Sequence, residues 1–126
     1  MDIAYLSLGA AMGANLRYWL GAWLAERLGS AFPHATLVIN LTGSLLLGFI
    51  MTLTTQRYLI NPRVRMTLTT GFLGAYTTFS TYEYESVTLM MSGHWGSGVL
   101  ALEESAILGA IAAGAGMMLG RLVGGR

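Results

Sequence analysis

The sequence predicts an all-α membrane protein in which four transmembrane helices form a single domain over residues 1–126. Two observations support this fold class. First, 54% of the residues are hydrophobic and only 10% are charged, whereas about 25% of the residues of a soluble domain are charged. Second, the sequence contains four apolar stretches separated by short polar turns, and each is at least the roughly 20 residues that a helix needs to cross a bilayer.

The four apolar stretches lie at about residues 3–25, 35–55, 64–91 and 99–123. The first follows Asp2 instead of a basic cluster and is interrupted by Arg17, so we expect a membrane helix there and not a secretory signal. All four runs are continuous and longer than the roughly ten-residue alternating strands of a membrane β-barrel. Each is therefore predicted to be a helix.

Two of these stretches carry glycines four residues apart, Gly9 with Gly13 and Gly116 with Gly120. Small residues at this spacing let the backbones of membrane helices approach closely. The alternative is that glycine is simply common in membrane helices. The spacing favours a close-packed bundle.

The third stretch differs from the others, because residues 69–82 contain five threonines, two glycines and a serine. This composition predicts a break in the helix near residues 74–77, close to the bilayer midplane. Broken helices are tolerated at that depth where their backbone groups face protein or a wet cavity, and they commonly bind ions. A gentle kink with its threonines bonded to their own helix is the alternative.

Aromatic side chains follow the predicted break. Phe79 and Tyr82 are three residues apart and therefore lie on one helical face. The edge of an aromatic ring is positive, so ring edges can line a path for an anion. A full charge would bind the anion too tightly for conduction, which needs weak and repeated sites. The alternative is that both rings are packing residues.

Two polar residues lie deep in the first two helices. The amide of Asn40 can donate to an anion or bond a neighbouring helix. Arg17 lies too deep to face lipid freely, so it either anchors helix ends or makes a vestibule positive. Both residues are candidates for the functional site.

The arginines suggest an orientation. Four helices place both termini on one side of the membrane, and Arg27 alone lies on the opposite side. The remaining helix-end arginines lie on the side of the termini: Arg57, Arg63, Arg65, Arg121 and Arg126. This bias predicts that both termini lie in the cytoplasm.

Several function classes are excluded by composition. A net charge of +1 gives no field for nucleic acid, and the absence of cysteine excludes thiol chemistry. No phosphate loop, nucleophile elbow or metalloprotease motif occurs, so we predict that the protein is not an enzyme.

Glu103 and Glu104 are either a solvated helix rim or a pair that binds a proton or cation.

The sequence resembles the CrcB/Fluc family of small fluoride channels over nearly its whole length. Three elements carry the resemblance: Gly13-Ala14-Asn15-Leu16-Arg17-Tyr18, Asn40-Leu41-Thr42-Gly43, and Thr70-Gly71-Phe72-Leu73-Gly74-Ala75-Tyr76-Thr77-Thr78-Phe79-Ser80-Thr81-Tyr82 followed by Glu85. The long central string is the most specific of the three.

The resemblance implies an antiparallel, dual-topology homodimer in lipid, with two fluoride pores along the subunit interface. It implies a multi-pass protein of the inner (plasma) membrane of a prokaryote, and passive fluoride efflux that confers fluoride resistance. Phe79, Asn40 and Tyr82, the last in place of the usual phenylalanine, would line the fluoride path. The other implied roles are a polar track at Ser80, Thr81 and Ser105, a vestibule position at Arg17, and a structural sodium ion at the dimer centre held by the carbonyls of Gly74 and Thr77.

The sequence also allows other interpretations of the assembly and the function. Ala75 stands where the family usually has a second glycine, which is tolerable if its backbone angles are ordinary. The arginine bias favours a heterodimer with an oppositely oriented homologue as an alternative assembly. The alternative functions are a small proton-coupled multidrug or guanidinium-type cation exporter, based on Glu103 and Glu104, and a non-transporting helper subunit.

Overall fold

The computed structural model describes residues 2–57 and 60–125, with only the backbone at residues 56 and 57. All secondary structure in these ranges is helical, which confirms the predicted all-α class. The elements are α1 (Asp2–Leu28), α2 (His34–Arg57), α3 (Pro62–Met66), a π-helical segment (Thr67–Leu73), α4 (Gly74–Tyr76), α5 (Phe79–Met91) and α6 (Trp95–Gly124). The elements from α3 to α5 together form the third helix, so the described chain has the four predicted helices.

The ends of the helices have local causes. Gly29 after α1 and Gly93 after α5 have φ angles of 82° and 89°, a left-handed conformation that favours glycine and stops a helix. Helix α3 begins with Pro62, and the side chain of Asn61 before it accepts a hydrogen bond from the backbone N–H of Arg63.

Both glycine pairs lie at close helix contacts, which confirms the prediction of a close-packed bundle. A Cβ atom at Gly9 or Gly13 of α1 would meet the backbone carbonyl of Thr67 or Phe72 in the π-helical segment. A Cβ atom at Gly116 of α6 would meet the carbonyl of Leu45 in α2. Helices α1 and α6 therefore each pack with their backbone directly against a neighbour.

Few apolar side chains are buried in a single chain. The core cluster consists of Ile39, Leu73 and Tyr76, whereas Met91 and Leu122 are 84% and 77% exposed. An apolar surface of this extent is typical of contact with lipid or with a partner chain.

Two helices of the described chain are long and apolar enough to cross a membrane by length and composition, His34–Thr55 and Trp95–Gly124. The other two predicted spans do not meet that criterion. Helix α1 contains Asp2, Arg17, Glu26 and Arg27, and the third helix is divided into shorter elements. Their membrane placement stays a prediction.

The break in the third helix consists of two extended residues. Thr77 has φ −78° and ψ 157°, and Thr78 has φ −148° and ψ 116°. The chain therefore leaves the helix at the C-terminal edge of the predicted range 74–77. Ala75 lies inside helix α4, so this position does not require the conformational freedom of glycine.

Candidate functional site

Asn40 of α2 holds the break in the third helix. Its side-chain Oδ1 accepts a hydrogen bond from the backbone N–H of Thr78 at 2.8 Å, and its Nδ2 donates to the carbonyl of Thr78 at 3.0 Å. The first bond satisfies an N–H that has no helical partner, and the second adds a donor to the carbonyl at the start of α5. Of the two uses expected for the amide, the bond to a neighbouring helix is present, and one Nδ2 hydrogen is left over.

Arg17 of α1 bonds the residue before Thr78. Its Nη1 donates to the carbonyl of Thr77 at 3.3 Å, and the side chain is half-buried. This carbonyl lies at the C-terminal end of α4, where a helix dipole favours a cation. Arg17 therefore lies at the break and anchors a helix end, which is one of its two expected uses.

Helix α5 begins with a threonine cap. Thr78 Oγ1 accepts a hydrogen bond from the backbone N–H of Thr81 at 3.3 Å and donates to Thr81 Oγ1 at 2.8 Å. Such a cap satisfies one of the N–H groups that a helix start leaves without a partner. Thr81 thus contributes to the start of α5.

A cavity of about 310 Å³, here called the central cavity, lies beside the break. Residues from α2, the third helix and α6 line it. Six of the nine predicted site residues are among them: Asn40, Gly74, Thr77, Phe79, Tyr82 and Ser105. Ser80, Thr81 and Arg17 are outside this lining, although Arg17 bonds Thr77.

The two aromatic rings meet edge to face at the central cavity. The ring centroids of Phe79 and Tyr82 are 5.2 Å apart, and the ring planes make an angle of 77°. Phe79 is 67% exposed, so it is not a core packing residue of a single chain. Its position leaves the ring available to a ligand or to a partner chain.

The backbone at the break offers carbonyl oxygens to a cation. The N–H of Thr78, which would bond the carbonyl of Gly74 in a continued helix, donates to Asn40 instead. The carbonyl of Thr77 accepts from Arg17 and keeps a second lone pair. Carbonyl oxygens of an unwound segment are suitable ligands for sodium, so these oxygens fit the ion. A sodium ion bound there would share the Thr77 carbonyl with the guanidinium of Arg17.

Sequence reasoning missed several residues at the site. Ser44 and Thr69 also line the central cavity, and a hydroxyl within an apolar helix is the only local signal for them. The Oε2 atom of Glu85 is buried and has no hydrogen-bond partner among the described residues. Glu103 and Glu104 are outside the lining of the central cavity and give no support to a cation exporter.

Comparison with known proteins identifies the class. Residues 4–117 match the family described as CrcB-like protein, Camphor Resistance (CrcB). The chain therefore belongs to the CrcB-like family, as the sequence motifs predicted.

Similar curated proteins carry a functional name. The chain is 46% identical to the fluoride-specific ion channel FluC of Chloroflexus aurantiacus over 98% of both chains. It is 42% identical to FluC of Acidobacterium capsulatum over 98% of both chains. It is also 46% identical to FluC of Trichormus variabilis, over 94% of this chain and 88% of that protein.

Proposed function

We propose that this chain is a fluoride-selective membrane channel that lets fluoride leave the cell passively and so confers fluoride resistance. The observation that carries the proposal is the central cavity, where Phe79, Tyr82, Asn40 and Ser105 lie together beside a broken helix. The names of the similar curated proteins agree with it. Fluoride enters as neutral HF and dissociates in the more alkaline cytoplasm, so a selective leak is sufficient.

The proposed path uses partial charges. The aromatic edges of Phe79 and Tyr82 attract an anion weakly, and the remaining Nδ2 hydrogen of Asn40 and the hydroxyl of Ser105 can donate to it. The full charge of Arg17 is bonded to the Thr77 carbonyl and does not line the cavity. Weak sites of this kind allow an ion both to enter and to leave.

The assembly in this proposal is an antiparallel, dual-topology homodimer in the inner membrane of a prokaryote, with a pore along each side of the interface. Phe79 is 67% exposed and Gly74 is exposed, so a single chain leaves the central cavity open on its surface. A second copy would enclose it. The alternative partner is an oppositely oriented homologue.

The proposal includes a structural sodium ion at the dimer centre. The carbonyls of Gly74 and Thr77 from both subunits would hold it and give it four oxygen ligands. When bound, the ion would neutralise carbonyl dipoles that the break leaves without helical donors. Asn40 and Arg17 orient these carbonyls through their bonds to the break.

The proposal is tested by fluoride efflux from sodium-containing liposomes, read with a fluoride electrode. Wild-type protein should release fluoride rapidly and retain chloride. Phe79→Ile should reduce efflux to the level of protein-free liposomes, because the aliphatic side chain lacks a positive edge. The control is Tyr84→Ile, an aromatic residue that is 74% exposed on the same helix but outside the central cavity. Undiminished efflux in Phe79→Ile would sink the proposed path.

A further inference from the structure

A second cavity, here called the mouth cavity, lies at the end of the bundle that contains the start of α3. It has a volume of about 720 Å³ and lies between the C-terminal part of α2 and residues 60–70. Its lining includes the guanidinium-bearing Arg65 and the threonines Thr54, Thr69 and Thr70. The mouth cavity is therefore more than twice as large in volume as the central cavity and contains a positive charge.

The charge of Arg65 is not neutralised by any described side chain. Arg65 is half-buried, and its Nη2 contacts the sulfur of Met51 at 3.4 Å, which is a weak acceptor. Two residues earlier, Arg63 forms an ion pair with Asp2 at 3.2 Å. No described carboxylate lies within ion-pair distance of Arg65, so its charge is available to a mobile anion.

The mouth cavity adjoins the central cavity. Thr69 lines both of them, and its Oγ1 donates to the carbonyl of Arg65 one helical turn away at 2.9 Å. Thr70, which is exposed, lies next to Thr69 and also lines the mouth cavity. An anion near Arg65 is therefore one helical turn from the residue shared with the proposed path.

We infer that Arg65 and the mouth cavity form an electrostatic entry site, which gathers fluoride and delivers it past Thr69 to the central cavity. The inference rests on the proposed function. A full charge in a narrow path would hold the ion, whereas at the entrance to the path it raises the local anion concentration and the rate of entry. The larger cavity contains the charge and the smaller cavity contains the ring edges, so each has one of these two tasks.

Fluoride efflux at two ionic strengths tests the entry role. In vesicles of neutral phosphatidylcholine at about 0.01 M salt, where the Debye length is about 30 Å, Arg65→Gln should lower initial efflux about threefold or more. At about 1 M salt the Debye length falls to about 3 Å, so the variant should approach the wild type. Arg65→Lys keeps the charge and should restore efflux, which separates charge loss from misfolding.

Arg63→Gln is the matched control. It removes the same charge two residues away, but Arg63 is paired with Asp2 and does not line the mouth cavity. At about 0.01 M salt its efflux should fall by less than that of Arg65→Gln, because Arg63 is exposed and lies outside the mouth cavity, and at about 1 M salt it should approach the wild type. Equal efflux of Arg65→Gln and Arg63→Gln at low salt would overturn the inference.

A second measurement does not depend on fluoride flux. The chain has no native cysteine, so Thr70→Cys introduces a single thiol in the mouth cavity. We compare its rates of modification by an anionic and a cationic thiosulfonate reagent. Adding Arg65→Gln should lower the ratio of anionic to cationic rate several-fold, whereas adding Arg63→Gln should lower it by less, because Arg63 lies outside the mouth cavity.

The two measurements separate the two proposals. Absence of wild-type efflux would contradict the proposed function, and the labelling ratio would still decide whether Arg65 attracts anions into the mouth cavity. An unchanged ratio would overturn the inference. The ratio could also change while Arg65→Gln efflux at low salt stays normal. That result would place Arg65 outside the fluoride path, and it would also overturn the inference.

Discussion

Asn40 bonds a single residue of another helix with both ends of its side-chain amide. Thr78, the residue it binds, is extended and is the N-cap of α5, so its N–H lacks the partner that a helix would supply, whereas its carbonyl belongs to the first turn of α5. A side chain that both accepts and donates is required there, and an amide meets this requirement with the correct geometry. Asn40 therefore holds the break and also lines the central cavity.

Asn40→Ala tests this positioning role. The substitution removes both bonds and leaves the Thr78 N–H without a partner, so we expect the free energy of unfolding to fall by about 1–3 kcal/mol. The measurement is a denaturation titration of the purified protein in detergent.

Asn15→Ala is the control for Asn40→Ala. The amide of Asn15 is exposed and donates to the Ala11 carbonyl of its own helix at 2.7 Å. Its loss should change the free energy of unfolding by no more than about 0.5 kcal/mol. Equal losses in the two variants would contradict the role assigned to Asn40.

Among the elements, α1 and α6 are positioned by glycine. Helix α1 contacts the π-helical segment through Gly9 and Gly13, and α6 contacts α2 through Gly116 and Gly120. Backbone contact places the neighbouring helices close enough for α2, the third helix and α6 to share the lining of the central cavity. The glycines thus determine the width of the bundle around the site.

Gly116→Ala and Gly114→Ala form a matched pair that tests this packing. A Cβ atom at Gly116 would meet the Leu45 carbonyl, whereas a Cβ atom at Gly114 has no atom within 4 Å in the chain. We expect Gly116→Ala to lower the free energy of unfolding by about 1–3 kcal/mol through overpacking. Gly114→Ala should be neutral or stabilising by up to about 1 kcal/mol, because alanine is the better helix former. Similar stability of the two variants would show that the α2–α6 contact tolerates a methyl group.

A single chain leaves much of its apolar surface uncovered. Its buried core is small, large apolar side chains are exposed along several helices, and the central cavity opens onto the surface. The arginine bias bears on how two copies could combine. Arg63, Arg65 and Arg121 are described, whereas the side chain of Arg57 and all of Arg126 lie outside the described residues.

Dual topology can be measured with a single cysteine in the cysteine-free chain. Ser92→Cys places a thiol in the exposed turn between α5 and α6. If the chain inserts in both orientations, a membrane-impermeant thiol reagent should label about equal fractions from each face of the membrane. Ser30→Cys lies in the exposed turn after α1, at the same end of the bundle, and should give the same result. Labelling from one face alone would favour the heterodimer with an oppositely oriented homologue.

The sequence by itself determined the features that depend on neighbouring residues. The apolar stretches predicted four helices, the glycine pairs predicted close contacts, and the threonine-rich string located the break to within one or two residues. Phe79 and Tyr82 were predicted on one face because three residues is nearly one helical turn. The family motifs are local strings as well, so the class of protein was also readable from the sequence.

Only the tertiary structure decided which distant residues meet. Asn40 binds a residue 38 positions away, and Arg17 binds one 60 positions away. Thr69, which lines both the mouth cavity and the central cavity, lies in a π-helical segment that no sequence pattern indicated. Helix propensity and hydropathy act along the chain, whereas these contacts depend on how whole helices pack, so the residues near them in sequence carry little signal for them.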